Sequence, residues 1–392
     1  MTPQSSMFRR VAITACGCVS PLGIGWQATR EALLRGDDCI SPITSFDISR
    51  CQCKTAGQVD DTKLATAGSK RWHRSARMLR TTLKEARCTQ PHFRPEICFM
   101  ATTSGGMSFG EEFFYHQTAS SRQPASHIAG YMPMQPVQDA LFSMGWEVPC
   151  RIISNACASG TNALGLAFLA VRSGRYQRVL CGGYDALSLL VFAGFESLKA
   201  MTAEKCRPFD ASRTGLVLGE GAAVFYLEDL EQAERCGIPI LAEIAGYGVA
   251  SDNHHLTQPN PNGSGARLAI QRALTHANFS SQSIDYINAH GTATVQNDAS
   301  EARALLDLLP NIPVSSTKAM MGHALGAAGA IETAFCLHAL QSNFLPPNLN
   351  FRQKETSLNV VANTSRAAIV QRVLTNSFGF GGANACLALQ SL

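Results

Sequence analysis

The sequence predicts an α/β protein with mostly parallel sheet, and three observations carry that reading. Short β-type apolar runs alternate with segments of helical length along the chain. Apolar residues make up 45% of the 392 residues and charged ones only 16%, with 32 Gly and 17 Pro. That composition leaves room for a large core and excludes a disordered chain, a coiled coil or a collagen-like repeat. Finally, two distant stretches share one design: a strand, a polar loop with a reactive side chain, and a helix of small residues.

Taken in order, Val11–Ala15 reads as the first strand, ended by Gly17 and Pro21. Arg9-Arg10 ahead of it and Cys16 after it imitate a lipoprotein-style leader, but the apolar run is short for export. Gln27–Leu34 is helical; Ile97–Ala101 and Arg151–Ser154 are strands, the latter leading into a helix over Thr161–Arg172. Val179–Cys181, Ala222–Leu227 and Ile240–Ala245 follow as strands. A helix over Ala266–Ala277, the strand Tyr286–Asn288, a helix over Ser300–Leu309, the strand Pro313–Ser315 and a helix over Ala327–Leu340 complete the series. The shared design occurs at Arg151–Ser154 with its loop and helix, and again at Pro313–Ser316 with the small-residue helix Ala324–Leu340. It suggests two related halves meeting near Cys236–Pro239, residues 1–238 and 239–392.

The net charge of +4 is too small and scattered to make nucleic acid the main partner. Thr161–Val171 and Leu187–Phe195, the longest apolar stretches, fall short of the roughly 20 residues a membrane helix needs, so no membrane insertion is expected. The 14 cysteines include the C-x-C pairs Cys16/Cys18 and Cys51/Cys53 but no structural-zinc spacing. Others, such as Cys98, Cys181 and Cys336, sit singly in apolar runs as small hydrophobes. A reducing cytoplasm fits that usage.

Four motifs carry chemistry. Ser154-Asn155-Ala156-Cys157-Ala158-Ser159-Gly160 puts a cysteine between a strand and a helix N-terminus, whose dipole is expected to favour the thiolate. Ala158 and Gly160 are expected to leave space for something to approach the sulfur. In Asn288-Ala289-His290-Gly291-Thr292-Ala293-Thr294, His290 falls at a strand's C-terminal end, where α/β proteins place ligands. Ser315 through His323 repeats that logic with Lys318 and His323 together. His73, His92, His116, His127, His276 and His338 read as solvated or core residues. Asn376 through Asn384 is a glycine-rich turn with two aromatics; it lacks the Walker Lys-Ser/Thr ending and a dinucleotide fingerprint.

Cysteine, H-G-T-x-T, K-x-x-x-G-H and G-F-G-G in this order make the chain resemble the elongating β-ketoacyl-[acyl-carrier-protein] synthases of the thiolase-like superfamily. The resemblance runs from Val11 to Leu389 and includes Arg207-Pro208-Phe209-Asp210 and Leu216 through Ala222. It implies two interlocked halves in a five-layered α/β arrangement and a homodimer, or a heterodimer with a ketosynthase-like chain-length partner. It also implies an acidic acyl carrier protein as partner and no cofactor or metal, because 4′-phosphopantetheine arrives attached to the carrier. By the same resemblance Cys157 is the nucleophile, and His290 and His323 line the decarboxylation site. Lys318 orients that network, paired with Glu301. The backbone N–H groups of Cys157 and Phe380 form an oxyanion hole, and Phe380 gates the site. Thr292 and Thr294 contact the phosphopantetheine arm, with Gly381 and Gly382 also at the substrate.

Val295 and Thr214 replace a usual proline and a usual acidic residue. Ser104 stands where long-chain enzymes carry a bulky aliphatic residue, so it is expected to shape the acyl pocket for a specialised chain. Lys70 and Arg71, within a basic cluster that includes Arg74, Arg77 and Arg80, are expected to dock the carrier. The competing reading is a chain-length-determining subunit with little activity of its own, although such subunits lack the cysteine present here. A cysteine hydrolase is a third reading, against which the paired histidines and Lys318 argue.

Overall fold

The computed structural model describes residues 8–64, 72–119 and 126–392. Among them one twelve-stranded sheet runs through the molecule. The first half supplies β1 (Val11–Ser20), β2 (Ile97–Ala101), β3 (Cys150–Ile153), β4 (Arg178–Asp185) and β5 (Gly221–Asp229). The second supplies β6 (Ala242–Ser251), β7 (Tyr286–Asn288), β8 (Pro313–Ser315), β9 (Asn359–Val360), β10 (Arg372–Gly379) and β11 (Ala383–Gln390). Their order is β9-β8-β7-β10-β11-β6-β1-β5-β4-β2-β3, and Gly23–Ile24 pairs with the end of β1.

That order contains one pattern twice. In the first half β1 pairs antiparallel with β5 and β5 with β4, while β4 and β3 flank β2 in parallel. In the second half β6 pairs antiparallel with β11 and β11 with β10, while β10 and β8 flank β7 in parallel. The halves join where Val11–Ile13 runs antiparallel to Ala242–Ile244.

The sheet is therefore mixed, and the expectation of mostly parallel pairing is corrected. The antiparallel pairings are β1 with β5 and β6, β5 with β4, and β11 with β6 and β10; of the hairpin β10–β11 only the turn was legible. Both strands are buried along almost their whole length, so no period-two alternation marks them. The first strand also passes through Gly17 instead of ending there. A side chain at that position would meet the Thr82 carbonyl of the helix Arg74–Thr89, so this glycine permits close packing of strand and helix.

Three helices position the site: α1 (Ser159–Arg172), α2 (Val295–Leu308) and α3 (Ala328–Ser342). Every residue of α3 from Ala328 to Leu340 is buried, which marks a central helix enclosed on all sides. α1 and α3 cross in direct backbone contact. A Cβ on Gly160 would lie 2.7 Å from Ala330 N, and one on Gly329 would lie 2.6 Å from Thr161 N. The crossing lies at the first turn of each helix, so the loops that precede them converge. Gly160 thus serves this crossing, and the expectation that it leaves space beside the sulfur is corrected. All 14 cysteines are unpaired. No helix among the described residues is long and apolar enough to cross a membrane.

Candidate active site

Cys157 ends a tight turn between β3 and α1, with Ala156 at φ 54. Ser159 braces that turn: its hydroxyl accepts from Asn155 N at 2.8 Å and donates to the Ala156 carbonyl at 2.5 Å. The turn abuts Gly379 from the other half. A Cβ on Gly379 would lie 3.0 Å from Cys157 N, a tight contact, so glycine eases the close approach of the Gly379–Phe380 backbone to the cysteine turn.

His290 follows β7 and His323 precedes α3. Their rings lie edge to face with centroids 5.3 Å apart. The Cys157 sulfur and one nitrogen of each imidazole all lie within 4.8 Å of one another, and all three residues are buried. Among the described residues this is the one group of Cys, His, Asp and Glu whose donor atoms lie close enough to share an ion.

The two histidines are held differently. The Leu325 N–H donates to His323 Nδ1 at 3.3 Å, which places the imidazole proton on Nε2. His323 Nε2 has no partner among the described residues, so an N–H donor is left facing the site. His290 is fixed through its backbone. Glu301 of α2 accepts from His290 N at 2.9 Å, from Gly291 N at 2.8 Å and from Asn376 Nδ2 at 3.2 Å. Glu301 therefore pins the turn in which Gly291 and Ala293 adopt positive φ.

Lys318 pairs with Glu332 of α3, and both side chains are buried. The expected pairing of Lys318 with Glu301 is corrected: Glu301 is occupied by three N–H donors, and the lysine pairs with Glu332. Glu332 was missed, yet a signal existed. It is the sole acidic residue of a helix buried from Ala328 to Leu340, and a buried charge requires a partner.

Burial first, and the Lys318 ammonium second, hold both imidazoles well below their usual range, so they are neutral N–H donors. Burial also pushes the Cys157 thiol up to about 12, against the pull of Lys318. The expectation that the helix N-terminus would favour a resting thiolate is corrected, because desolvation outweighs it. Burial raises the Glu332 carboxyl while Lys318 draws it down.

A cleft of about 270 Å³ opens onto this group and is lined by Cys157, His290, His323, Thr292, Thr294 and Phe380, among others. The Thr292 and Thr294 hydroxyls are 2.9 Å apart. Phe380 stacks on Phe195 with centroids 5.7 Å apart, and Gly381 and Gly382 beside it take positive φ. Gly382 lines the cleft, whereas Gly381 N–H donates to the Leu256 carbonyl. Ser104 does not line this cleft; its hydroxyl donates to Asp185 at 2.7 Å. Lys70 and Arg71 lie outside the described residues. Of their neighbours, Arg74 is bound by Asp61 and Glu220 and Arg77 by Asp61.

Residues 8–233 match the family Beta-ketoacyl synthase, N-terminal domain, and residues 241–352 match Beta-ketoacyl synthase, C-terminal domain. The chain is 35% identical to 3-oxoacyl-[acyl-carrier-protein] synthase 2 of Synechocystis sp., over 97% of this chain and 98% of that protein. The solved ishigamide ketosynthase/chain length factor superposes with a TM-score of 0.92 at 30% identity, covering 98% of this chain and 100% of that one. A ketosynthase structure described as bound to its type II polyketide acyl carrier protein, AntDE:AntF, superposes at 0.89 and 25% identity, covering 98% and 100%. The chain belongs to the β-ketoacyl synthase family. It has the thiolase-like fold and is a condensing enzyme of the acyltransferase class, acting in fatty-acid or polyketide synthesis.

Proposed function

We propose that this chain is a catalytically competent elongating ketosynthase. The observation that carries this is the convergence of a thiol and two neutral imidazoles at the floor of one cleft. In the first half-reaction the Cys157 sulfur attacks the thioester carbonyl of an acyl carrier protein. The new thioester forms on Cys157, the phosphopantetheine thiol leaves, and the cysteine proton passes to that thiol. The Cys157 and Phe380 N–H groups stabilise the tetrahedral oxyanion. In the second, malonyl-carrier protein loses carbon dioxide, and the resulting enolate oxygen accepts from the N–H donors of His290 and His323. The enolate carbon then attacks the Cys157 thioester, giving a 3-oxoacyl-carrier protein two carbons longer and expelling the Cys157 thiolate, which takes up a proton from solvent to restore the thiol.

Burial, helped by the Lys318 ammonium, keeps both imidazoles neutral, so the enolate meets uncharged N–H donors. Thr292 and Thr294 hold the phosphopantetheine arm, with Gly381 and Gly382 at the substrate, and Phe380 admits the second carrier once the first has discharged. The arm travels with the carrier, so no separate cofactor or metal enters the steps. Lys70 and Arg71 dock the acidic carrier. The enzyme works in the cytoplasm, as a homodimer or with a ketosynthase-like chain-length partner.

The second reading, a chain-length partner of low activity, is favoured by the likeness to a ketosynthase/chain length factor structure. The test is reconstitution with hexanoyl-carrier protein and malonyl-carrier protein. The elongating reading predicts a 3-oxo-octanoyl product, from this chain alone or with a second ketosynthase-like subunit, that is lost in Cys157→Ala; product that needs a second subunit and persists when this chain carries Cys157→Ala supports the partner reading.

A further inference from the structure

The carboxylate of Asp185, at the end of β4, is almost completely buried, yet no cation pairs with it among the described residues. It is held by hydrogen-bond donors alone. Oδ1 accepts from the Thr102 hydroxyl at 2.6 Å, from Ser104 N at 2.9 Å and from the Ser104 hydroxyl at 2.7 Å. Oδ2 accepts from the Thr103 hydroxyl at 2.8 Å and from Gly326 N at 2.7 Å, and Thr103 N reaches both oxygens. Such a set satisfies a buried carboxylate almost fully, which is the condition for its remaining there.

The Gly326 bond crosses between the halves. It ties a carboxylate of the first half to the loop between His323 and α3. Gly326 is required by this approach, because a Cβ there would lie 2.8 Å from Asp185 Oδ2 and 2.8 Å from Thr103 N. The neighbouring Leu325 is driven to φ 51, an unfavourable conformation for a branched side chain, and its N–H is the group that donates to His323 Nδ1. The strained turn therefore has an anchor on one side and the catalytic imidazole on the other.

We propose that Asp185 is the positioning residue for His323: by holding Gly326 N it keeps Leu325 in its strained conformation and fixes the imidazole with its proton on Nε2. Thr102, Thr103 and Ser104 complete the clamp. This gives the serine at position 104 a polar task in place of shaping the acyl chain. The proposal rests on the reading of His323 as the donor to the enolate.

The test uses the full-length enzyme acylated on Cys157, with malonyl-carrier protein as the probe and carbon dioxide release as the readout. Asp185→Asn replaces one acceptor oxygen by an N–H₂ group facing donors. Thr103→Val keeps the carboxylate and removes a single donor. For Asp185→Asn the expected result is at least a tenfold lower kcat for decarboxylation, with KM for malonyl-carrier protein within threefold of wild type. Thr103→Val should fall between the two. Imidazole ¹⁵N spectra, assigned with His323→Ala, should show a single Nε2–H tautomer for His323 in wild type and a mixture in Asp185→Asn. A wild-type kcat together with an unmixed tautomer in Asp185→Asn overturns the proposal. If Asp185→Asn does not fold, the same result in Thr103→Val overturns it. Absence of decarboxylation in the wild-type enzyme, or full decarboxylation in His323→Ala, instead removes the underlying reading of His323.

Discussion

Lys318 and Glu332 form an ion pair with both side chains only 1% exposed. Its main consequence is electrostatic. The ammonium lies near enough to act on His290, His323 and Cys157, while its counter-charge is Glu332 of the central helix, which also acts weakly on Cys157.

Lys318→Met keeps the volume of the side chain but strands the Glu332 carboxyl. Breaking a buried pair by removing one partner costs about 3–5 kcal/mol. Proton uptake by Glu332, which burial already favours, relieves part of that. Denaturation should show a lower midpoint. Iodoacetamide alkylation of Cys157 should shift to higher pH, since Lys318 is the main influence pulling that thiol down. An alkylation profile identical to wild type would show that the charge does not reach the sulfur.

Glu301 carries a pH signature. Burial raises its carboxyl to about 7, against the pull of the N–H donors of Gly291, His290 and Asn376. A raised folded-state value contributes stability that is fully present below the usual carboxylate range, near 4.5, and lost as pH climbs to about 7. The loss amounts to about 3 kcal/mol. Glu301→Gln should flatten this part of the stability curve, measured by urea unfolding across the same interval. It should also lower condensation activity, because the amide has one acceptor oxygen for three donors. A wild-type slope in the mutant would place the titration elsewhere.

His323→Ala separates the half-reactions. Acyl transfer to Cys157 should persist, while malonyl decarboxylation falls by about 10²–10³, the cost of removing one donor to a developing oxyanion. The loss will not add simply to that of His290→Ala, because the two act on one oxygen. Equal loss of both half-reactions would make His323 a structural residue or a general base.

Docking is tested by charge reversal at Lys70 and Arg71. The apparent KM for carrier protein should rise, and its dependence on salt should weaken, since exposed charges are screened over a Debye length of about 8 Å at physiological ionic strength. Arg74 and Arg77 are engaged by Asp61 and Glu220, so reversing them would disturb the fold as well. A KM and salt dependence equal to wild type would remove Lys70 and Arg71 from the interface.

Much of the site was legible because its chemistry sits in short, unusual strings of residues. Cys157, His290 and His323 stand out where each loop meets its strand or helix, and the small residues of α1 and α3 forecast the close crossing that brings those loops together. What escaped was set by distance across the fold. Glu332 touches Lys318 in space but lies 14 positions along the chain, and Glu301 offered an equally acidic alternative. Asp185 ends a strand that reads as plain core, and nothing local marks its bond to Gly326, 141 positions further on. The strands β10 and β11 were obscured for a different reason: buried on both faces, they lose the alternation that reveals a half-exposed strand.

The most direct test of the account is mass spectrometry of the intact enzyme and its peptides after incubation with an acyl-carrier protein. The account predicts one acyl group, carried as a thioester on the peptide containing Cys157. It also predicts discharge of that group on adding malonyl-carrier protein, with release of the extended 3-oxoacyl product, and no label on Cys157→Ala. Acyl label at wild-type level on the Cys157→Ala protein, or a Cys157 thioester that malonyl-carrier protein leaves untouched, would contradict it.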